Sequence, residues 1–261
     1  MIGKKNESTF RYFAQSWSEE RKMTGFLVAL IFDTLIVYPL VSVVSSNVEI
    51  QIINILVISA VLLLGLFALT HHEITRVVFG GIFIIVISIR LVRFVLRANW
   101  LLGWDLLLPL AIIIAYLSMI LRYVYKVGPV TRQRLQGAVA AYLLIAVAFA
   151  LGYILISFLI PGAFKFPDKP PKIDDPRFGF IFHYFSISTI TTLGYGDIIP
   201  VHPFARTLAT IEALVGQLYP AILLARLVSL SVIDRATHSD PNGPPASSEA
   251  MRNHKEGGKG P

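Results

Sequence analysis

Thr191-Thr192-Leu193-Gly194-Tyr195-Gly196-Asp197 is the stretch on which the reading of this chain turns. The two glycines flanking Tyr195 open backbone conformations closed to other residues, so successive carbonyls can point the same way instead of alternating. The product is a ladder of carbonyl oxygens. At membrane depth such irregular backbone is tolerated only where it is buried in protein or lines a wet cavity, because each orphan polar group costs several kcal/mol in lipid. A dehydrated cation fits a ladder of this kind. One chain supplies one wall of a binding ring, so closing the ring takes symmetric copies.

The flanking residues put the segment at that depth. Immediately upstream, FGFIFHYFSISTI (178–190) is too short to span a bilayer and reads as a re-entrant helix. Asp175 followed by Pro176 supplies an N-cap and a first-turn proline, which predicts a helix from there to about Ile190. Its C-terminal end carries a partial negative charge, which favours a cation beside it. Apolar blocks of helix length lie at 25–44, 50–69, 77–96, 101–121, 138–160 and 204–230. Between the last two runs a Pro- and charge-rich linker, 161–177. The tail from Asp234, rich in Pro, Gly, Ser and charge, carries too few apolar residues to fold and is expected to be disordered.

Composition agrees with the blocks. The chain of 261 residues is 55% hydrophobic and 15% charged, against roughly 25% charged in an average soluble domain, and its mean hydropathy is +0.67. These values argue against a soluble globular protein and for an all-α membrane protein with six transmembrane helices and one re-entrant helix. With the re-entrant helix counted in the membrane, no stretch outside it exceeds about 30 residues, short of the roughly 50 at which independent domains begin, so a separate catalytic or sensing domain is not expected. The net charge of +7 reads as topology and not as affinity for nucleic acid. With the N-terminus inside, 15 of the 23 Lys and Arg fall on the cytoplasmic side, which predicts cytoplasmic N- and C-termini and entry of the re-entrant segment from outside. There is no cysteine, so disulfides and thiol ligands are excluded, and the polar start of the chain shows no cleavable signal.

With these residues in place the sequence resembles the tetrameric pore-loop potassium channels, in which four TVGYG loops replace the ion's hydration shell with carbonyls. Residues 192–196 differ from that loop only by Leu193 in place of Val. The resemblance is to the six-transmembrane-helix prokaryotic type and implies a homotetramer in the cell (plasma or inner) membrane, in contact with lipid, that passes K⁺ passively. A less selective monovalent cation channel is the alternative. It implies K⁺ as permeant ion, no cofactor and no nucleic acid. The implied ion ligands are the carbonyls of Thr192, Leu193, Gly194 and Tyr195 with the Thr192 hydroxyl, Gly196 completing the filter. Thr191, Tyr184, Phe185 and Asp197 are the implied supports, Tyr184 donating towards Asp197 at the outer mouth. Where some members carry a glutamate behind the filter, this chain has Ser188. The expected organisation is a cytoplasmic segment (1–23), a four-helix sensor-like domain (24–122), a cytoplasmic linker (123–135), a pore domain (136–233) and the tail (234–261).

In the last span Gly216 lies 19 residues after Asp197, at the position of the family's hinge glycine, although a mid-span glycine also serves close packing. Steps of four place Gly216, Pro220, Leu224 and Val228 on one stripe, Pro220 removes a backbone hydrogen bond, and Leu224 and Val228 form a candidate hydrophobic gate. Glu212 is an ionisable group inside the same span. Two roles fit it: raising cation occupancy in the cavity, or hydrogen-bonding the back of the filter. Its height favours the second.

The fourth block lacks the arginines of a voltage sensor. Arg90, Arg93 and Arg97 lie instead in the third block, on one face. Asp105 is at a depth to pair with Arg93 or Arg97, and Asp33 offers a deeper partner; static pairing and movement in the field are the two readings. His71, His72 and Glu73 make only a weak metal motif. A secondary K⁺ transporter would carry four pore-loop repeats, and this chain has one. An intramembrane enzyme would need a nucleophile–base pair or an HExxH motif, and none is present.

Overall fold

The computed structural model describes residues 22–37, 39–40, 65, 73–96, 101–126, 131–170 and 175–238. The protein is an all-α membrane protein. Helix α1 (22–32) runs into a π-helical stretch, Asp33–Val37. Then follow α2 (Glu73–Leu96), α3 (Leu102–Val124), α4 (Arg132–Leu159), α5 (Pro176–Ile190) and α6 (Pro203–His238). Two short strands, β1 (Phe164–Lys165) and β2 (Ile199–Pro200), pair antiparallel, Phe164 opposite Pro200.

The helix starts follow local chemistry. Thr131 caps α4, its side chain accepting from the Arg134 N–H at 3.3 Å. Asp175 caps α5 by accepting from the Arg177 N–H at 2.9 Å, and Pro176 occupies the first turn. The short helix therefore begins where the Asp-Pro pair predicts and ends at Ile190. The tail differs from expectation: α6 continues past Asp234 to His238, because helical backbone bonding carries on beyond the last apolar block.

Among the described residues three helices are long and apolar enough to cross a membrane, Gly103–Val124, Arg132–Leu159 and Pro203–Arg226, and α2 contains a shorter apolar run, Gly80–Val92. Of the two other expected spans, the first is described to Val37 and at 39–40, and the second lies outside the described residues except for Gly65.

Packing centres on α4. The seven-residue connection from α3 makes the two helices neighbours, and alanines Ala138, Ala140, Ala141 and Ala146 let α3 approach closely through Ile113, Tyr116 and Ile120. Met23, Phe26 and Leu30 of α1 join the same core. On its other side α4 holds α5 through an aromatic cluster, Tyr153, Phe164, Phe178, Phe182 and Phe185. Helix α6 lies against α4 and α5 along one face only. In its most apolar window 11% is buried, against 44% for α4. A single chain thus leaves a long apolar helix almost bare.

Candidate ion-binding site

The turn after α5 determines where its carbonyls point. Thr192, Gly194 and Gly196 have φ of 61°, 54° and 80°, so every second residue takes the left-handed region. For the two glycines this costs little, whereas for a β-branched threonine it is a strained conformation that the surroundings must hold. They hold it through hydrogen bonds. The N–H groups of Leu193 and Gly194 both donate to the Ser188 carbonyl, at 2.9 and 3.1 Å, and the Thr192 N–H donates to Thr189 O at 3.0 Å. In a trans peptide N–H and C=O point oppositely, and no peptide among the described residues is cis. The carbonyls of Thr192 and Leu193 therefore face away from α5, and no hydrogen bond reaches the carbonyls of residues 192–195.

The last four carbonyls of α5 are all satisfied, as a buried helix end requires. Ile187 O accepts from the Thr191 N–H at 3.1 Å and from its hydroxyl at 2.6 Å, and Ser188 and Thr189 accept from the filter amides. Ile190 O accepts from the Tyr142 hydroxyl of α4 at 2.9 Å. Gly216 of α6 abuts the same carbonyl: a Cβ at 216 would stand 2.0 Å from Ile190 O. Glu212, one turn earlier in α6, accepts a hydrogen bond from the Tyr153 hydroxyl and is hydrogen-bonded to Ser186 Oγ.

Beside the turn, Tyr184 stacks on Tyr195, ring centroids 6.3 Å apart and nearly parallel at 11°. Phe185 is buried edge-on against Tyr153 at 4.9 Å. Beyond the filter the chain is stapled to the linker by the β1–β2 pair and by the Val201 and His202 N–H groups, which donate to Ala163 O at 2.9 and 3.2 Å. At the start of α5 the Arg177 side chain grips Asp175, Nη2 to Oδ2 at 2.6 Å. Its hydrogen bonds hold the Asp175 carboxyl below the usual carboxylate range. Leu193 and Tyr195 are 56% and 68% exposed in the isolated chain.

With this geometry in view, comparison with known proteins is informative. Residues 154–232 match the family model described as "Ion channel". The chain is 38% identical over 81 residues to the inward rectifier potassium channel Kirbac3.1 of Paramagnetospirillum magnetotacticum, a match covering 31% of this chain and 24% of that protein. It is 32% identical over 89 residues to Protein LctB of Bacillus caldotenax, covering 33% of this chain and 64% of that one. The chain thus spans about a quarter and just under two thirds of these relatives. No solved structure matches. The channel-like module begins within α4 and takes in α5, the filter turn and most of α6.

Inside this module the structure separates residues that the sequence groups together. Gly216 is buried against α5, whereas Leu224 and Val228 lie exposed at 62% and 60%. The expected single stripe of Gly216, Pro220, Leu224 and Val228 is therefore corrected: each four-residue step overshoots a turn by about 40°, so Gly216 and Val228 end up about 120° apart. Glu212 does meet the back of the filter, as its height suggests.

Outside the module Asp105 pairs with Arg90, Nε to Oδ1 at 2.9 Å and largely buried. The Arg90 partner is one the spacing did not single out; of the expected partners, Arg93 lies in α2 and Arg97 outside the described residues. His71 and His72 also lie outside the described residues. Asp33 is buried at the start of the π-helical stretch. No metal-binding cluster of His, Cys, Asp or Glu occurs among the described residues.

Sequence reasoning missed Tyr142, Tyr153 and Arg226. The two tyrosines had a readable signal: a hydroxyl in an apolar span needs a partner, and a spacing of eleven puts both on one face of α4. Arg226 donates to the carbonyls of Val124, Tyr125 and Lys126 at 3.0, 2.7 and 3.0 Å, and lies 4.8 Å from the Tyr125 ring centre. Nothing local in the sequence points to that contact.

Proposed function

We propose that this protein is a potassium-selective channel, a homotetramer that passes K⁺ passively across the cell membrane with both termini in the cytoplasm. The observation that carries the reading is the filter turn. Its amides are committed to Ser188 while the carbonyls of residues 192–195 are left without donors, an arrangement that suits dehydrated cations. The Thr192 hydroxyl and the Thr192, Leu193, Gly194 and Tyr195 carbonyls are the proposed ligands, completed by Gly196, with Thr191, Tyr184, Phe185 and Asp197 in support. Four copies close the ring, and they also cover the bare face of α6.

That face divides in two. Phe204, Ile211, Leu218 and Ile222 form an apolar strip suited to neighbours or lipid, whereas Thr210 and Gln217 fall seven apart in line with Leu224. We assign the second strip to the pore, with Leu224 and Val228 as the hydrophobic gate and Gly216 and Pro220 as the bend between filter and gate.

Purified protein in liposomes, loaded for rubidium uptake and cross-linked in parallel, tests the reading. Uptake that saturates with K⁺, weakens on Thr192→Ala and accompanies a four-chain product is expected. A monomer without flux would refute it, and uptake indifferent to Na⁺ against K⁺ would favour the less selective channel.

A further inference from the structure

Three helices converge on the carboxyl group of Glu212. The residue is fully buried, at 0% exposure, in the first third of α6. The Tyr153 hydroxyl of α4 donates to Oε2 at 2.5 Å, Oε1 is hydrogen-bonded to Ser186 Oγ of α5, and that same Oγ is 2.6 Å from the Ala146 carbonyl of α4. Tyr153 and Ser186 are themselves fully buried, so water is not at hand to adjust the pattern.

Counting protons fixes the direction of each bond. A serine hydroxyl has one proton to give, and a main-chain carbonyl can only accept. Ser186 has two oxygens at bonding distance, so the proton directed to Ala146 O leaves the contact with Glu212 to be made by a proton on Glu212. Were the carboxyl ionised, one of the two contacts would set lone pair against lone pair. The charge would also be buried without a partner: no ion pair to Glu212 occurs among the described residues, and an uncompensated buried charge is among the most costly arrangements in a protein.

We propose that Glu212 is a positioning residue that works as an uncharged carboxylic acid. Tyr153 donates to Oε2, the acid donates from Oε1 to Ser186 Oγ, and Ser186 donates to Ala146 O. This one-way relay pins α5 between the outer helix α4 and the inner helix α6, and α5 carries the carbonyls of Ser188 and Thr189 that set the filter turn. The consequence for selectivity rests on the channel reading. The protonated state of the acid does not.

Glu212→Gln separates this relay from a role for negative charge in the cavity, because an amide donates to Ser186 and accepts from Tyr153 as the acid does. In proteoliposomes under mixed K⁺ and Na⁺, Glu212→Gln is expected to keep the permeability ratio within roughly twofold of wild type. Glu212→Ala and Tyr153→Phe are expected to lower it about tenfold or more for the alanine and less for the phenylalanine, following the number of buried partners left unsatisfied. Infrared spectra give a second readout that needs neither conduction nor a stable alanine variant. The wild type at neutral pH should show the carbonyl stretch of a protonated acid, absent in Glu212→Gln and shifted in Tyr153→Phe. No such band, or a Gln variant as impaired as the Ala variant, overturns the proposal. A wild type that shows the band but conducts no K⁺ would fault the channel reading and leave the relay standing.

Discussion

Where α6 passes the filter, it is held by contacts with no slack. Gly216 touches the Ile190 carbonyl, Glu212 bonds to Ser186 and Tyr153, and the Tyr219 hydroxyl donates to Ala138 O at 2.9 Å, all in buried surroundings. Further along the same helix the hold is of another kind. Arg226 reaches out to three carbonyls at the end of α3, where Arg134 also donates to Lys126 O at 3.0 Å, and these contacts are mostly exposed. A guanidinium over a helix C-terminus is favourable there, yet water can replace it at modest cost, which it cannot do for a buried carbonyl. The difference teaches that one helix can be fixed where it passes the turn after α5 and exchange partners further along.

The largest effect expected from breaking this comparison is Gly216→Ala. The methyl would collide with backbone, not with a side chain that can swing aside, so the cost lies at the upper end of the roughly 1–3 kcal/mol typical of overpacking. Thermal dissociation of the oligomer should fall sharply and ion selectivity with it. If the alanine variant shifts only the fraction of time the channel is open, position 216 acts as a hinge alone and the close contact is dispensable.

Arg226→Ala should come next, with the opposite signature. Losing the charged hydrogen bonds and the stacking, discounted for exposure, is worth about 1–2 kcal/mol, or roughly tenfold in an open–closed equilibrium. Single-channel recording should show changed open probability with an unchanged permeability ratio. Arg226→Lys should recover only part, since an ammonium lacks the planar fork.

How much of this was readable beforehand varies with the range of the interaction. The start of α5 was, because Asp175 and Pro176 act on their own helix turn. So was the carbonyl ladder, since Gly194 and Gly196 advertise it, although the left-handed Thr192 ahead of them did not: a β-branched residue gives no sign of strain until its amide neighbours are fixed. The Arg90–Asp105 pairing joins two different helices, and the spacing of arginines along one of them does not encode which arginine the other reaches. Arg226 reads as one more basic residue at a span end, and its partners are main-chain carbonyls about a hundred residues away, without any side-chain signature.

A finer test of the rigid end is Tyr142→Phe. It removes one donor from Ile190 O and should cost about 1 kcal/mol, read as a small drop in thermal stability and a modest loss of selectivity. No change in either would mean that Gly216 alone fixes the end of α5. The smallest effect is expected at the start of α5. The Arg177 hydrogen bonds lower the Asp175 carboxyl in the folded state, so their contribution is complete above the unfolded carboxyl value of about 3.9 and is lost as the pH falls through the lower folded value. Asp175→Asn, which keeps the cap, should flatten this acid dependence and lower stability slightly near neutrality, where the Arg177 contribution is complete.

The central claim is that the carbonyls of residues 192–195, freed by the commitment of the Leu193 and Gly194 amides to Ser188, select K⁺. Its most direct test is the reversal potential of purified protein in a planar bilayer with K⁺ on one side and Na⁺ on the other. A reversal potential close to that of a K⁺ electrode is the predicted result. A value near zero, with Na⁺ carried as readily as K⁺, would contradict it.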